Sequence, residues 1–184
     1  MRNYVLFLSL FLSIQGLSQI NLDSLYEVWE NKKQDDTVRF FAFKEFIWNG
    51  YLFSNADTAF QLAESLQVIA SQKQNKIWVA EAIRLKGISK NVTGELINAL
   101  ELYEKSLNLN KSINNKVGIA WCLLNIGIVY YQQGKTEKAI DFCERSLDLM
   151  KGTGDNLGVT TSLINIGVIY KAMGNNQKAL EAFE

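Results

Sequence analysis

Along most of the chain the apolar residues fall three and four positions apart. Leu123, Ile126 and Tyr130 form one such stripe, and Ala139, Ile140, Cys143 and Leu147 form the next. That spacing places each set on one face of an α-helix. Gly134 separates the two segments, and Thr136 just after it is a candidate N-cap; Asn175 and Asn176 hold the matching place after Gly174. The sequence contains no proline, so nothing of that kind interrupts a helix. The pattern predicts a short helix near 22–33, then helices over 36–53, 57–72, 76–92, 95–111, 116–133, 136–151, 156–173 and from 176 onward. An all-α fold of antiparallel helix pairs is expected.

The stripes recur. Residues 118–144 laid over 158–184 give ten identities in 27 positions, and seven of the 17 differences exchange one apolar residue for another. The matched pairs include Asn125/Asn165, Gly127/Gly167, Tyr130/Tyr170, Gly134/Gly174 and Ala139/Ala179. One step of 40 further back meets Gly87, Gly94 and Ala99, a more degenerate copy; another reaches a weak copy over 38–70, where Glu64-Ser65-Leu66 matches 104–107 if one residue is missing. Glycine inside a helix costs about 0.8–1.0 kcal/mol relative to alanine, so Gly87, Gly127 and Gly167 call for a compensating contact. Close packing on Ala99, Ala139 and Ala179 of the paired helix supplies it, while Leu123, Ile126 and Tyr130 fill space toward the following copy.

Leu123-x-x-Ile126-Gly127-x-x-Tyr130, followed by Gly134, Ala139, a large position at Cys143 or Phe183 and small Ser146, resembles the tetratricopeptide repeat. The resemblance implies an α-solenoid of stacked helix pairs with units of about 40 residues, longer than the common 34. Lys151 stands where the family usually has proline. The domain organisation expected is a signal peptide at 1–18, an N-terminal segment at 19–35, a degenerate repeat at 36–75, and repeats at 76–115, 116–155 and 156–184, the last one incomplete.

In such a solenoid the first helices line the inner face. The resemblance then places Trp121, Leu124, Asn125, Ile128 and Tyr131, with Asn165 and Lys171 of the next repeat and Arg84 of the one before, in a peptide-binding groove. An asparagine at the place of Asn125 and Asn165 clamps the backbone of extended peptides in relatives, since its amide both donates and accepts. The plainer reading is that these two cap local backbone or face water, and that Trp121 and Tyr131 cover the edge of the core. Arg84, Lys171 and Lys111 are scattered, so a grip on a terminal carboxylate is not expected.

Composition narrows the chemistry. The 184 residues include 19 basic and 19 acidic side chains and no histidine. Balanced charge gives no overall electrostatic reason to expect nucleic acid or an anionic membrane as the main partner. Without histidine, Ser-His and Cys-His nucleophiles and His-bearing zinc sites are absent. Glu137, Asp141, Glu144 and Asp148 recur at helical spacing, as a solvated outer face does. No catalytic residue, metal site or cofactor is expected, and the partner expected is a protein or peptide.

Arg2, the apolar run from Tyr4 to Ile14 and the small residues Gly16 and Ser18 read as a secretory signal peptide with cleavage after Ser18, which implies export. Cys122 and Cys143 are expected as buried free thiols, because their offset on antiparallel helices exceeds the reach of a disulfide. With its exported leader and 40-residue repeats, the chain also resembles the sensory amino-terminal region of bacterial adenylate/guanylate cyclases, and less specifically of sensor histidine kinases. That likeness implies a fragment whose membrane linkage and output domain lie past Glu184. The alternative reading is a structural spacer or self-association solenoid.

Overall fold

The computed structural model describes residues 21–184, so the signal peptide expected at 1–18 lies outside the described residues. Its helices are α1 (Leu22–Glu30), α2 (Asp36–Gly50), α3 (Ala56–Gln72), α4 (Lys76–Val92), α5 (Leu96–Ser112), α6 (Lys116–Gln132), α7 (Thr136–Thr153), α8 (Asn156–Ala172) and α9 (Asn176–Phe183). Each lies within three residues of its predicted span, and no strand occurs among the described residues. Successive helices pack as antiparallel pairs, and the first helices of neighbouring pairs touch as well, α4 on α6 and α6 on α8. This is an all-α solenoid.

Local chemistry repeats at the same period. Asp35, Asn75, Asn115 and Asp155 each accept a hydrogen bond from a backbone N–H in the first turn of α2, α4, α6 and α8. The second helices begin differently: Asn55 and Asn175 cap α3 and α9, whereas Glu95 and Lys135 make no side-chain cap. Thr136 is therefore not the N-cap but the first residue of α7. Gly94, Gly134 and Gly174 make the turns within pairs at φ of +82°, +75° and +77°, a left-handed conformation that glycine adopts without a Cβ penalty. The degenerate first repeat keeps the same step, since α3 and α5 both have 17 residues and begin 40 apart. No residue is missing there; Leu66 occupies the place of Ser106 and Ser146.

The internal glycines carry the pair contact. A Cβ on Gly127 would come within 2.7 Å of Cys143 Sγ and 3.1 Å of the Ala139 carbonyl oxygen, so the expected meeting of Gly127 with Ala139 is present. At Gly87 the obstacle would be the Tyr103 ring at 2.6 Å, and at Gly167 the Phe183 ring at 2.5 Å. The small residue lets a large partner lie flat on the helix backbone. At the corresponding places in the first repeat, Ile47 and Ala63 reverse the sizes, and both are buried.

The direction of packing differs from expectation. Leu123 and Ile126 join the core built with the preceding repeats, together with Tyr103, Leu107 and Cys122, while Leu124 joins the following cluster with Met150, Ile166 and Ile169. A first helix in mid-stack has neighbours on both sides, and adjacent residues 100° apart serve opposite ones. Both cysteines are buried and free. Burial pushes the Cys143 thiol up to about 12 and raises that of Cys122 as well.

Candidate functional site

The 40-residue step puts the first-helix positions expected along the inner face in rows. Phe41, Glu81, Trp121 and Thr161 form one row; Lys44, Arg84, Leu124 and Ile164 the next; Trp48, Ile88, Ile128 and Val168 a third. The first member of each row, from the degenerate repeat, was not among the expected groove residues. Phe41, with the Lys44 ammonium 4.5 Å over its ring, and Trp48 would have been found by one more step back at a strict spacing of 40.

The predicted residues meet different fates. Leu124 is not a groove residue: it is 1% exposed, drawn into the core against the next repeat. Arg84 is 7% exposed and already committed, its Nε donating to Glu81 Oε2 at 2.9 Å and its Nη2 to Glu81 Oε1 at 2.6 Å. Burial works against both charges, but their mutual attraction and hydrogen bonds outweigh it. The Glu81 carboxyl is thus held below its ordinary value and the Arg84 guanidinium above its own. The same guanidinium lies 5.6 Å from the Trp121 ring centre.

Trp121 is half-buried, and its Nε1 donates to Asp155 Oδ2 at 3.0 Å while Asp155 Oδ1 accepts from Gly158 N at 2.9 Å. Asp155 therefore caps α8 and fixes the indole from the turn that ends the repeat, a role that nothing local to Trp121 in the sequence signals. Ile128 and Tyr131 are half-buried along the edge of the C-terminal core cluster. Lys171 is exposed. Tyr130 and Tyr170 are likewise half-buried, Tyr130 against Phe142 at a ring-centre distance of 5.3 Å.

The two asparagines, equivalent in sequence, are not equivalent in place. Asn165 Nδ2 donates to the Thr161 carbonyl at 2.8 Å. Asn125 is 9% exposed, and its Nδ2 is buried with no hydrogen-bond partner. A buried amide donor left unpaired costs about 1–3 kcal/mol, so groups of this kind point to an acceptor supplied from elsewhere. Trp121 and Ile128, both half-buried, flank Asn125 one turn to either side.

Comparison with known proteins agrees with this geometry. A model of the tetratricopeptide repeat matches residues 78–152 and 131–184, together more than half of the chain. The chain belongs to the tetratricopeptide repeat family. No curated protein matches it. Among solved structures it is similar to BtubC (BKLC) from P. vanneervenii, at 20% identity and TM-score 0.61, with 87% of this chain and 66% of that one covered. It is also similar to the apo form of RapI, at 19% and 0.68, covering 89% and 62%, and to MamA, at 17% and 0.52, covering 88% and 82%. At such identities these likenesses establish the fold, and the chain spans just under two thirds of the length of the first two. Tetratricopeptide repeats are protein-interaction scaffolds, which is the general class of activity the family assigns.

Proposed function

We propose that this chain is a non-catalytic recognition module that holds an extended or helical segment of a protein partner along its inner face, centred on Asn125. The observation that carries this reading is the uncommitted Asn125 amide, buried between Trp121 and Ile128 in a row whose next member, Asn165, is satisfied by its own helix. Once the Asn125 side chain turns outward, a partner's backbone would offer the missing acceptor, and apolar side chains flanking it would rest on Trp121, Ile128 and Tyr131. Reading residues 1–18 as a signal peptide would place the chain on the extracytoplasmic side, as the sensory part of a larger signalling protein; a cyclase or sensor kinase output domain would then be a separate part of the parent.

The test is site-specific photocrosslinking from position 128 in the producing cell, followed by affinity measurement with a synthetic peptide of the captured segment. Asn125→Ala should weaken that peptide at least tenfold at unchanged melting temperature, and Asn165→Ala much less. Equal affinity for wild type and Asn125→Ala would overturn the assignment.

A further inference from the structure

The balance of 19 basic and 19 acidic residues conceals an uneven arrangement. The three turns between repeats, with the last turn of the helix before and the first turn of the helix after, comprise residues 69–79, 109–119 and 149–159. They contain Lys73, Lys76, Lys111, Lys116 and Lys151 against one acid, Asp155. Asp155 is spent on Trp121 and on capping α8, and Lys73 pairs with Asp36 at 3.1 Å. The ammonium groups of Lys76, Lys111, Lys116 and Lys151 are exposed and make no ion pair, hydrogen bond or ring contact among the described residues. On the opposite edge four of the five lysines are engaged, Lys90 with Glu95 at 2.8 Å, Lys135 and Lys138 over Tyr130 and Lys178 over Tyr170, and only Lys171 is without such a contact.

The same basic edge bears apolar side chains in register. Ile77, Val117 and Leu157, each the second residue of a first helix, are 54%, 39% and 71% exposed. Stacked helices lie about 8–10 Å apart, so the three form a row roughly 20 Å long at the tips of the hairpins, flanked by free ammonium groups. A row at the tips surrounds nothing, which suits a broad planar surface better than a narrow peptide. Protruding aliphatic groups suit an acyl boundary rather than the sugar-phosphate backbone of a nucleic acid. Lysine stems can lie along that boundary with their charges at the headgroups.

We infer that the edge formed by Ile77, Val117 and Leu157 with Lys76, Lys111, Lys116 and Lys151 is a membrane-docking surface for anionic phospholipid headgroups. Docked in this way, the solenoid stands on the bilayer by its inter-repeat turns and leaves its inner face open to a partner.

Vesicle flotation of the full chain tests this, with phosphatidylglycerol/phosphatidylcholine vesicles at 30 mol% anionic lipid beside pure phosphatidylcholine, at low and at physiological salt. Binding is expected to be at least tenfold stronger to the anionic vesicles and to fall with salt. Each Lys→Gln change among the four lysines should weaken it by roughly fivefold. Ile77→Ser with Leu157→Ser should weaken it several-fold more at unchanged melting temperature. Since residues 1–20 are present in every variant, the differences between variants report on the edge. Equal binding to both vesicle types, or full binding by the four-lysine variant, would overturn the inference. Retention by the serine variant together with equally tight binding to polyglutamate would assign the edge to acidic polypeptides instead and likewise overturn it.

Discussion

The junction between the first two repeats and the junction after it solve one packing problem with different materials. In the first, Leu66, Ala70, Trp78 and Ala82 are all buried and apolar. Forty residues on, the same places hold Ser106, Asn110, Gly118 and Cys122. There Ser106 Oγ donates to the Ala80 carbonyl at 2.7 Å, Cys122 Sγ donates to Ser106 Oγ at 3.2 Å, and Asn115 Nδ2 donates to Asn110 Oδ1 at 2.7 Å. The helices nonetheless keep the same lengths and spacing. Size is exchanged across the contact: Trp78 is matched by Ala70, whereas Gly118 leaves room for Asn110 and Gly158 for Met150. The fold requires a filled junction and satisfied polar groups, and is indifferent to which residue supplies the volume.

That comparison can be broken most sharply at Gly118. Any Cβ there meets the Asn110 side chain, so Gly118→Trp alone should destabilise by about 3 kcal/mol or more. Adding Asn110→Ala recreates the Trp78/Ala70 pair and should recover at least half of the loss in urea unfolding. Absence of any recovery would mean that the two junctions are not interchangeable.

A smaller effect is expected at the charged rung, whose equivalents in the fourth repeat are Thr161 and Ile164. Glu81→Gln strands the Arg84 charge; because Glu81 is partly open to solvent, we expect a loss of about 2 kcal/mol rather than the 3–5 of a fully buried pair. Replacing both, by Glu81→Thr with Arg84→Ile, should be neutral or stabilising by about 1 kcal/mol. The folded-state pKa of Glu81 lies below its ordinary 4.5, so the pair's contribution is complete above that value and lost as the pH falls through the depressed one. Acid unfolding of the double variant should lack this component, and an unchanged acid profile would assign the lability to other carboxylates.

The smallest difference separates the asparagines. Asn165→Ala gives up the bond to Thr161 and should cost about 0.5–1 kcal/mol, whereas Asn125→Ala removes an amide that bonds to nothing and should stay within about 0.5 kcal/mol of wild type. Matching losses in chemical denaturation would place a structural partner on Asn125.

Much of the architecture was legible because its causes are local. Apolar spacing fixed the helices, and left-handed glycines at 94, 134 and 174 marked the turns within pairs. Gln74 and Asn114, also at positive φ, gave a fainter signal for the turns between pairs. Thr136 misled because a residue of capping type stood one place inside the helix, and Leu66 misled because it resembles Leu107 while occupying the place of Ser106. Asn125 and Asn165 were found by their shared position, but which of them is spent was not legible. Arg84 looked like a free cation until Glu81, one turn away, was seen to hold it.

By itself the sequence determined the period, the helices and the family, since hydrogen bonding within a helix and the conformational freedom of glycine act over a few residues. Only the tertiary structure decided which inner-face groups are already satisfied and which side each apolar stripe serves. Those outcomes depend on groups brought together from 26 or 34 positions away, as Ser106 meets Ala80 and Trp121 meets Asp155. A hydrogen bond between such partners is set by the packing of whole helices rather than by the spacing of neighbouring residues.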